Sequence, residues 1–243
     1  MLRRAFLAIG LSRGALLVSL LAVSALCTPA TASATVSNVT YHADGTANDV
    51  SGNHDGTWVG TARYAPGFTG RPGDQAFSFN GDGSYIRTDL TVGSLGTAPS
   101  TISFDFRSSS SPATDESIMG ARSSCDSVAS GEGWWDVRIV PGGNLFVEFG
   151  VVPTSYVPLF GSHDIADGLW HEVVIHRDYS GITVYVDGQL DAEGPPVAGN
   201  IDPSVPFSID NDPCIGVDGT QPLVGNIDEV NVKYVSSTNN GHH

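Results

Sequence analysis

The chain has 243 residues, with 26 acidic and 11 basic side chains and a formal net charge of −15. Such acidity argues against nucleic acids and anionic membrane surfaces as partners, and it suits Ca²⁺ and neutral or cationic ligands. Only 15% of the residues are charged, while 29 are Gly and 14 are Pro. This composition indicates a folded domain rather than an acidic disordered tail, and we expect that domain to be a monomer.

The first 34 residues have the features of a cleaved export signal. Arginines precede the apolar run "ALLVSLLAVSALC" (15–27), and the small residues of "ATASA" (30–34) offer a cleavage site after Ala34. The apolar run is too short for a spanning helix. "RRAFL" (3–7) resembles a twin-arginine signal, and an ordinary Sec signal is the alternative. We therefore predict a secreted protein with one domain at 35–235 and a flexible tail at 236–243.

Alternating apolar and polar residues predict β-strands along the whole mature chain. The clearest are "TISFDFR" (101–107), "WWDVRIV" (134–140), "LFVEF" (145–149) and "GITVYVDG" (181–188). In each of them every second side chain points to one face, and turn-forming residues separate the runs. No helical period stands out. The pattern predicts an all-β fold made of two stacked antiparallel sheets.

Two further features restrain this sandwich. After removal of the leader the chain keeps Cys125 and Cys214, which in an oxidising compartment most simply form one disulfide, two free thiols being the alternative. The runs around 134–149 also predict a hairpin. A three-residue loop at 142–144 would keep inward-facing residues opposite each other, and it would place Arg138 opposite Glu148 as an ion pair.

Three motifs stand in a characteristic order: "DVSGNHDG" (49–56), "DGLWHEVVIHRDYSGITVYVDGQL" (167–190) and "LVGNIDEVNV" (223–232). Together they resemble the laminin G-like group of concanavalin A-like jelly rolls. The resemblance implies a jelly-roll sandwich whose termini lie close together. Members of this group bind glycans, proteins or peptides, or serve as accessory modules of secreted enzymes, and some have a Ca²⁺ site.

The first motif is rich in the oxygen ligands that Ca²⁺ prefers, and its glycines let backbone carbonyls turn inward. In the family the I-D-E-V strand lies beside this loop, so the resemblance implies a structural calcium site formed by Asp49, Asn53, Asp55, Asp228 and Glu229. Alternation sends Asp228 and Glu229 to opposite faces, so both would ligate only at a bend. The alternative is a metal-free network in which the loop side chains cap backbone N–H groups.

No catalytic residues are predicted. The sequence has no G-x-S-x-G elbow, no H-E-x-x-H zinc spacing and no E-x-D-x-x-E glucanase signature, and His171 is expected to be structural. Asp136 and Glu148 can share a face, which keeps a polysaccharide hydrolase or lyase as an alternative function. A purely structural extracellular protein is the other alternative.

Carbohydrate binding requires an aromatic platform and polar groups that fix the sugar hydroxyls. The predicted outer face of the central strands supplies both, with Arg107 nearby and with Tyr156 and Phe160 as a rim. The candidate ligand-binding residues are Trp134, Asp136, Arg138, Glu148 and Tyr185. The favoured function is therefore a secreted, non-catalytic module that binds a glycan or another cell-surface partner.

Overall fold

A computed structural model describes residues 34–91, 98–109, 111–126, 131–201 and 203–237. The predicted leader, apart from Ala34, and residues 238–243 of the predicted tail lie outside these ranges. Among the described residues, no helix is long and apolar enough to cross a membrane.

The described residues form strands in two antiparallel sheets. The eight-stranded sheet has the order β13-β12-β11-β6-β15-β4-β3, with β1 paired to β15. Its strands are β1 (Ala34–Tyr41), β3 (Tyr64–Pro66), β4 (Gln75–Asn80), β6 (Ser100–Arg107), β11 (His171–Arg177), β12 (Ile182–Val186), β13 (Gln189–Gly194) and β15 (Val224–Ser237).

The seven-stranded sheet has the order β10-β9-β8-β7-β14-β5-β2. Its strands are β2 (Thr57–Val59), β5 (Tyr85–Thr91), β7 (Glu116–Ala121), β8 (Gly133–Ile139), β9 (Leu145–Val151), β10 (Ser155–Phe160) and β14 (Pro206–Ile209). The prediction of an all-β fold with two antiparallel sheets is confirmed.

Aromatic and branched side chains from both sheets fill the space between them. Phe104 and Phe106 of β6 are buried from one side, and Trp135 and Phe149 of β8 and β9 from the other. Trp135 stacks on Phe149 and on Phe207 of β14, with ring centroids 6.4 and 5.7 Å apart. The period-two alternation read from the sequence thus identifies the inward faces of β6, β8 and β9 correctly.

The predicted disulfide between Cys125 and Cys214 is present. Cys125 lies between β7 and β8, and Cys214 lies between β14 and β15. The bond closes a segment with a sequence separation of 89 residues, a length for which the chain-entropy model gives about 4–5 kcal/mol of stabilisation. It ties together two connecting segments that lie against the outer face of the seven-stranded sheet.

The hairpin between β8 and β9 has a different register from the predicted one. Ile139 pairs with Leu145, and the amide of Val140 donates to the carbonyl of Asn144 over 2.9 Å, so the three-residue loop is 141–143 and not 142–144. Arg138 therefore lies opposite Phe146, and Glu148 lies opposite Asp136. Each β8 residue therefore pairs with a β9 residue two positions earlier than predicted. Because side chains alternate with a period of two, the inward residues still face inward.

Candidate functional site

A cleft of about 580 Å³ opens beside the ends of β8, β9 and β10, on the outer side of the seven-stranded sheet. It is lined by Arg122, Trp134, Glu148 and the segment 151–156. The side chains that lead into it alternate with the core residues Trp135 and Phe149 along the same strands. The cleft is thus built on three hydrogen-bonded strands, with β10 at the edge of the sheet, and on the turn between β9 and β10.

An aromatic pair forms the wall of this cleft. Trp134 on β8 and Tyr156 on β10 both pair with Gly150 on the strand between them. Their rings stack with centroids 6.2 Å apart and an interplanar angle of 28°. Trp134 is only 5% exposed, whereas Tyr156 is 55% exposed, so the tyrosine presents the ring surface and the tryptophan supports it.

Gly150 makes this arrangement possible. A Cβ atom at this position would overlap the six-membered ring of Trp134. The absence of a side chain therefore lets the indole lie across the middle strand and reach the tyrosine ring.

Arg122 closes the other side of the indole. Its guanidinium carbon lies 5.1 Å from the centroid of the Trp134 ring, a favourable cation–π distance. Nη1 donates to Asp136 Oδ2 over 3.0 Å and to Glu148 Oε1, Nε donates to the Ser124 carbonyl over 3.0 Å, and Nη2 donates to the Cys125 carbonyl over 3.1 Å. All three guanidinium nitrogens are thus engaged within the protein.

A buried ion network lies beneath the cleft. Arg138 donates to Asp212 Oδ2 from Nε over 3.0 Å, its Nη2 lies 2.9 Å from the same oxygen, and its Nε lies 3.4 Å from Asp136 Oδ1. Asp136, Arg138 and Glu148 are 2%, 5% and 4% exposed. These three predicted ligand-binding residues face outward as expected, but segments linked by the disulfide cover Asp136 and Arg138, and only Glu148 lines the cleft.

The two carboxyl groups of this network have opposite pKa shifts. Burial, and next the charge of Glu148, raise the pKa of Asp136 well above its usual range. Burial alone would also raise the pKa of Glu148, but a hydrogen bond with Asp136 and the charge of Arg122 outweigh burial and lower it. Burial and a hydrogen bond to Glu148 raise the pKa of Tyr156. Glu148 is therefore an ionised acceptor at the base of the cleft.

Tyr185 does not join this surface. It lies on β12 of the eight-stranded sheet, whereas Trp134 lies on β8 of the other sheet. Arg107, on β6, also belongs to the eight-stranded sheet and packs over the Trp170 ring. Alternation correctly gave the face of each residue but could not assign the sheet.

The loop predicted to bind calcium forms a dense hydrogen-bond network. Asp49 Oδ1 accepts from the Thr40 amide over 2.9 Å, and its Oδ2 accepts from the Ser51 hydroxyl and, over 3.4 Å, from the Asn53 amide. Asp55 Oδ1 accepts from the Asp49 amide over 3.0 Å. This is the arrangement of the metal-free alternative, with loop carboxylates capping N–H groups.

The other two predicted calcium ligands have different partners. Asp228 accepts from the Phe68 amide over 2.8 Å and from the Glu229 amide over 2.9 Å, and Glu229 lies 2.6 Å from His42. Glu229 has a φ of 49° within a register shift of β15, so the bend that the prediction required is present.

The five predicted calcium ligands do not form one ligand set. Asp49 is linked to β15 through Thr40. Asp49 accepts from the Thr40 amide, and Thr40 Oγ1 in turn accepts from Asn231 of β15, not from Asp228. Across the described ranges, the only group of three His, Cys, Asp or Glu ligand atoms at metal-binding spacing is Cys125, Cys214 and Asp218. Its two sulfurs are bonded to each other, so this group does not offer a calcium site. Calcium binding stays a prediction.

Sequence reasoning missed Arg122 and Gly150. Arg122 stands three residues before a half-cystine, and Gly150 follows an alternating strand directly. Neither position carries a periodic signal, since the role of each depends on the Trp134 side chain across the sheet. His171 is bound between Asp187, 2.8 Å from Nδ1, and Asp167, 3.1 Å from Nε2, in keeping with the structural role expected for it.

Comparisons with known proteins agree with this architecture. A family model described as the concanavalin A-like lectin/glucanases superfamily matches residues 80–238. The chain belongs to this superfamily, and the laminin G-like resemblance is confirmed. No curated protein sequence matches the chain.

Solved structures share the fold at low sequence identity. Domain 4 of AbnA, an extracellular arabinanase from Geobacillus stearothermophilus in complex with arabinotriose, is 20% identical with a TM-score of 0.62, over 84% of this chain and 95% of that one. A botulinum neurotoxin type C structure, whose cell entry depends on two ganglioside molecules, is 15% identical with a TM-score of 0.55, over 83% of this chain and 47% of that one. This chain thus spans about half the length of the toxin chain.

Proposed function

We propose that this chain is a non-catalytic carbohydrate-binding module of an extracellular protein, and that it binds uncharged sugars in the cleft at Tyr156. The observation that carries the proposal is the exposed Tyr156 ring, stacked on a buried Trp134 at the wall of a cleft of about 580 Å³. A rigid, partly exposed aromatic ring is the surface on which the apolar face of a sugar packs.

The polar groups of the cleft suit hydroxyls. Glu148 supplies carboxylate oxygens at the lining of the cleft, beside the Trp134 and Tyr156 rings. A sugar hydroxyl can donate to such an acceptor.

Charge argues for an uncharged ligand. Arg122 is the only cation among the residues that line the cleft, and its nitrogens already donate to Asp136, Glu148 and two carbonyls. An acidic sugar would find no free cation and would meet Glu148.

The similar structures support a carbohydrate ligand, while the preference for an uncharged one comes from the charges of the cleft. The arabinanase domain was solved in complex with arabinotriose and belongs to an extracellular enzyme. One binding domain of botulinum neurotoxin DC was solved in complex with SialylT. The disulfide of the present chain suits the same oxidising environment.

A structural calcium ion remains part of the proposal for the two acidic regions at Asp49 and at Asp228. The loop at Asp49 offers hard oxygen ligands of the kind that Ca²⁺ takes. This part of the proposal is supported by the sequence pattern and the family resemblance. The geometry does not support it, because the carboxylates of the two regions do not point to one common position.

A second candidate function is polysaccharide hydrolysis. Asp136 and Glu148 pair directly across β8 and β9, and their pKa values are shifted in opposite directions, as in an acid and base pair. Against it, Asp136 is 2% exposed and is held by Arg122, whereas glycosidic cleavage needs both carboxyl groups at the sugar.

Binding to a panel of neutral and acidic polysaccharides tests the proposal. We expect retention on one or more neutral polymers, lost on Tyr156→Ala but kept on Leu169→Ala, which removes an exposed apolar side chain elsewhere. Retention that is unchanged by Tyr156→Ala would overturn it. Reducing-sugar release that disappears with Glu148→Gln would favour the hydrolase instead.

A further inference from the structure

Two arginines of this chain lie over tryptophan rings, and they differ in what their N–H groups do. The guanidinium of Arg122 is engaged within the protein, as described above. Arg107 lies 4.7 Å from the Trp170 ring centroid, and within the described ranges its guanidinium has no hydrogen bond or ion pair. In a chain with 26 acidic and 11 basic side chains, a half-buried arginine without a carboxylate partner calls for an explanation.

The Arg107 guanidinium is held in place by rings. Phe68 packs edge-on against Trp170 with centroids 6.3 Å apart and an interplanar angle of 89°. The Trp170 indole thus contacts both Phe68 and Arg107, and Phe68 helps to hold it in position. An arginine stacked on a ring keeps the edge of its planar fork free for a bidentate partner. The stack thus presents N–H donors without the entropy cost of ordering a free side chain.

Two more polar side chains without a hydrogen-bond partner among the described residues lie in a row with Arg107 across the neighbouring strands β15 and β4. Asn226 of β15 pairs with Arg107 on one side and with Ser78 of β4 on the other. The neighbouring residues Phe106, Ile227 and Phe77 point into the core, so all three row members face outward. Within the part of the chain that the structure describes, the Asn226 amide and the Ser78 hydroxyl make no hydrogen bond either.

These groups border a cleft of about 400 Å³ whose lining contains one cation and no Asp or Glu. It is lined by Ser78, Phe79, Arg107, Ser108, Ser109, Gly168, Val224, Gly225 and Asn226. Asp105 and Asp228, two residues from Arg107 and Asn226 on the same strands, do not line it. Asp228 accepts from two backbone amides, and burial together with the charge of Asp228 raises the pKa of Asp105 to about 7.

We propose that Arg107, Asn226 and Ser78 form a second binding site, on the opposite sheet from the Tyr156 cleft, that takes a carboxylate group. The carboxylate oxygens accept from the guanidinium fork, and the amide and hydroxyl bind oxygens beside it. A sugar acid and a simple carboxylate share this chemistry. The site is independent of the proposed function, because no residue is common to the two clefts.

Three probes separate the sources of the carboxylate: D-glucuronate, acetate, and D-glucose as the uncharged control, each titrated while the indole N–H resonance of Trp170 is followed. We expect saturable shifts with glucuronate and none with glucose. Acetate shifting the same resonance with similar affinity identifies a general carboxylate site, and no response to acetate identifies a sugar-acid site. A response to glucose equal to that of glucuronate, or no saturable response to any probe, overturns the proposal.

Matched variants test the residues. Arg107→Gln should weaken glucuronate binding about tenfold or more, because a charge-assisted bidentate contact is lost. Arg87→Gln removes the same charge from an exposed position on the other sheet and should change affinity less than about twofold. If the two variants weaken glucuronate binding equally, the proposed site is contradicted. Asn226→Asp keeps the arginine–indole stack and places a carboxylate next to the fork, so it should abolish binding even if Arg107→Gln fails to fold.

Discussion

Trp134 on β8 lies directly opposite Gly150 on β9, and its indole occupies the space that a side chain at Gly150 would fill. This relationship brings the tryptophan against Tyr156, which pairs with the same glycine from the other side. A three-strand row of tryptophan, glycine and tyrosine thereby becomes an aromatic wall, with Arg122 closing its far side. The candidate site depends on this row more than on any single charged residue.

Substitution of Gly150 by Ala should disrupt the row. The added methyl group overlaps the buried indole, which is 5% exposed and has little room to move. We expect about 1–3 kcal/mol of lost stability, the usual cost of overpacking, and at least a tenfold loss of neutral-sugar binding. Urea denaturation and calorimetric titration measure the two effects. Wild-type affinity in the Gly150→Ala variant would show that the indole position is irrelevant to binding.

Replacement of Arg122 by Lys tests the role of the guanidinium fork. Lysine keeps the charge but cannot donate simultaneously to Asp136, Glu148 and two carbonyls. We expect the free energy of unfolding to fall by about 1–3 kcal/mol, since buried acceptors lose donors. The matched control is Arg63→Lys at the more exposed pair with Asp82, for which we expect a change of less than about 0.5 kcal/mol. Equal losses in the two variants would count against the buried network.

Asp210 should make the protein less stable as the pH rises. It is 2% exposed, and burial raises its pKa to about 8 even though it accepts a hydrogen bond from the Leu223 amide over 2.9 Å. The unfolded chain releases this proton near pH 4, so the stability contributed by the protonated group is full below about pH 4 and is lost as the pH rises to about 8.

The neutral isostere Asp210→Asn removes this dependence and keeps both the acceptor and a residue type that tolerates a φ of 59°. We expect its melting temperature to exceed that of the wild type by about 2–6 °C at pH 8 and to equal it near pH 4. Parallel melting curves for the two proteins across this range would refute the assignment.

The loop at Asp49 should stabilise the protein even without metal. Asp49→Ala removes the acceptor for the Thr40 amide, the Ser51 hydroxyl and the Asn53 amide. We expect a loss of about 1–3 kcal/mol in the presence of a chelator. The calcium prediction is tested by the same melts with added Ca²⁺. An ion bound only to the native state raises the wild-type melting temperature, and an unchanged wild-type value would remove calcium from the proposal.

The sequence predicts the layers of this fold well, because alternation directly reports which side chains face the core. Trp135, Val137 and Ile139 point inward as expected, and Trp134, Asp136 and Arg138 point outward. What alternation cannot report is whether the outward face is covered. Here segments near Cys125 and Asp212 fold over β8 and bury Asp136 and Arg138. These two residues, predicted to bind a ligand, therefore form part of a buried ion network.

The remaining differences have equally local causes. The hairpin register depends on whether the turn uses Pro141 or Asn144, and both choices keep the core residues inward. Tyr185 was grouped with Trp134 because an outward position on a strand does not reveal the sheet to which the strand belongs. Arg122 and Gly150 gain their roles only from cross-strand contacts with Trp134, which one sequence does not encode as a pattern.

The chain has four tryptophans, and their indole N–H resonances give the most direct test of where a neutral sugar binds. A neutral oligosaccharide retained by the protein should be titrated into labelled wild type and Tyr156→Ala while these four signals are followed. We predict a saturable shift of the Trp134 signal in the wild type, little change at Trp170, and loss of the shift in the variant. Saturable binding that leaves the Trp134 signal in place would contradict it.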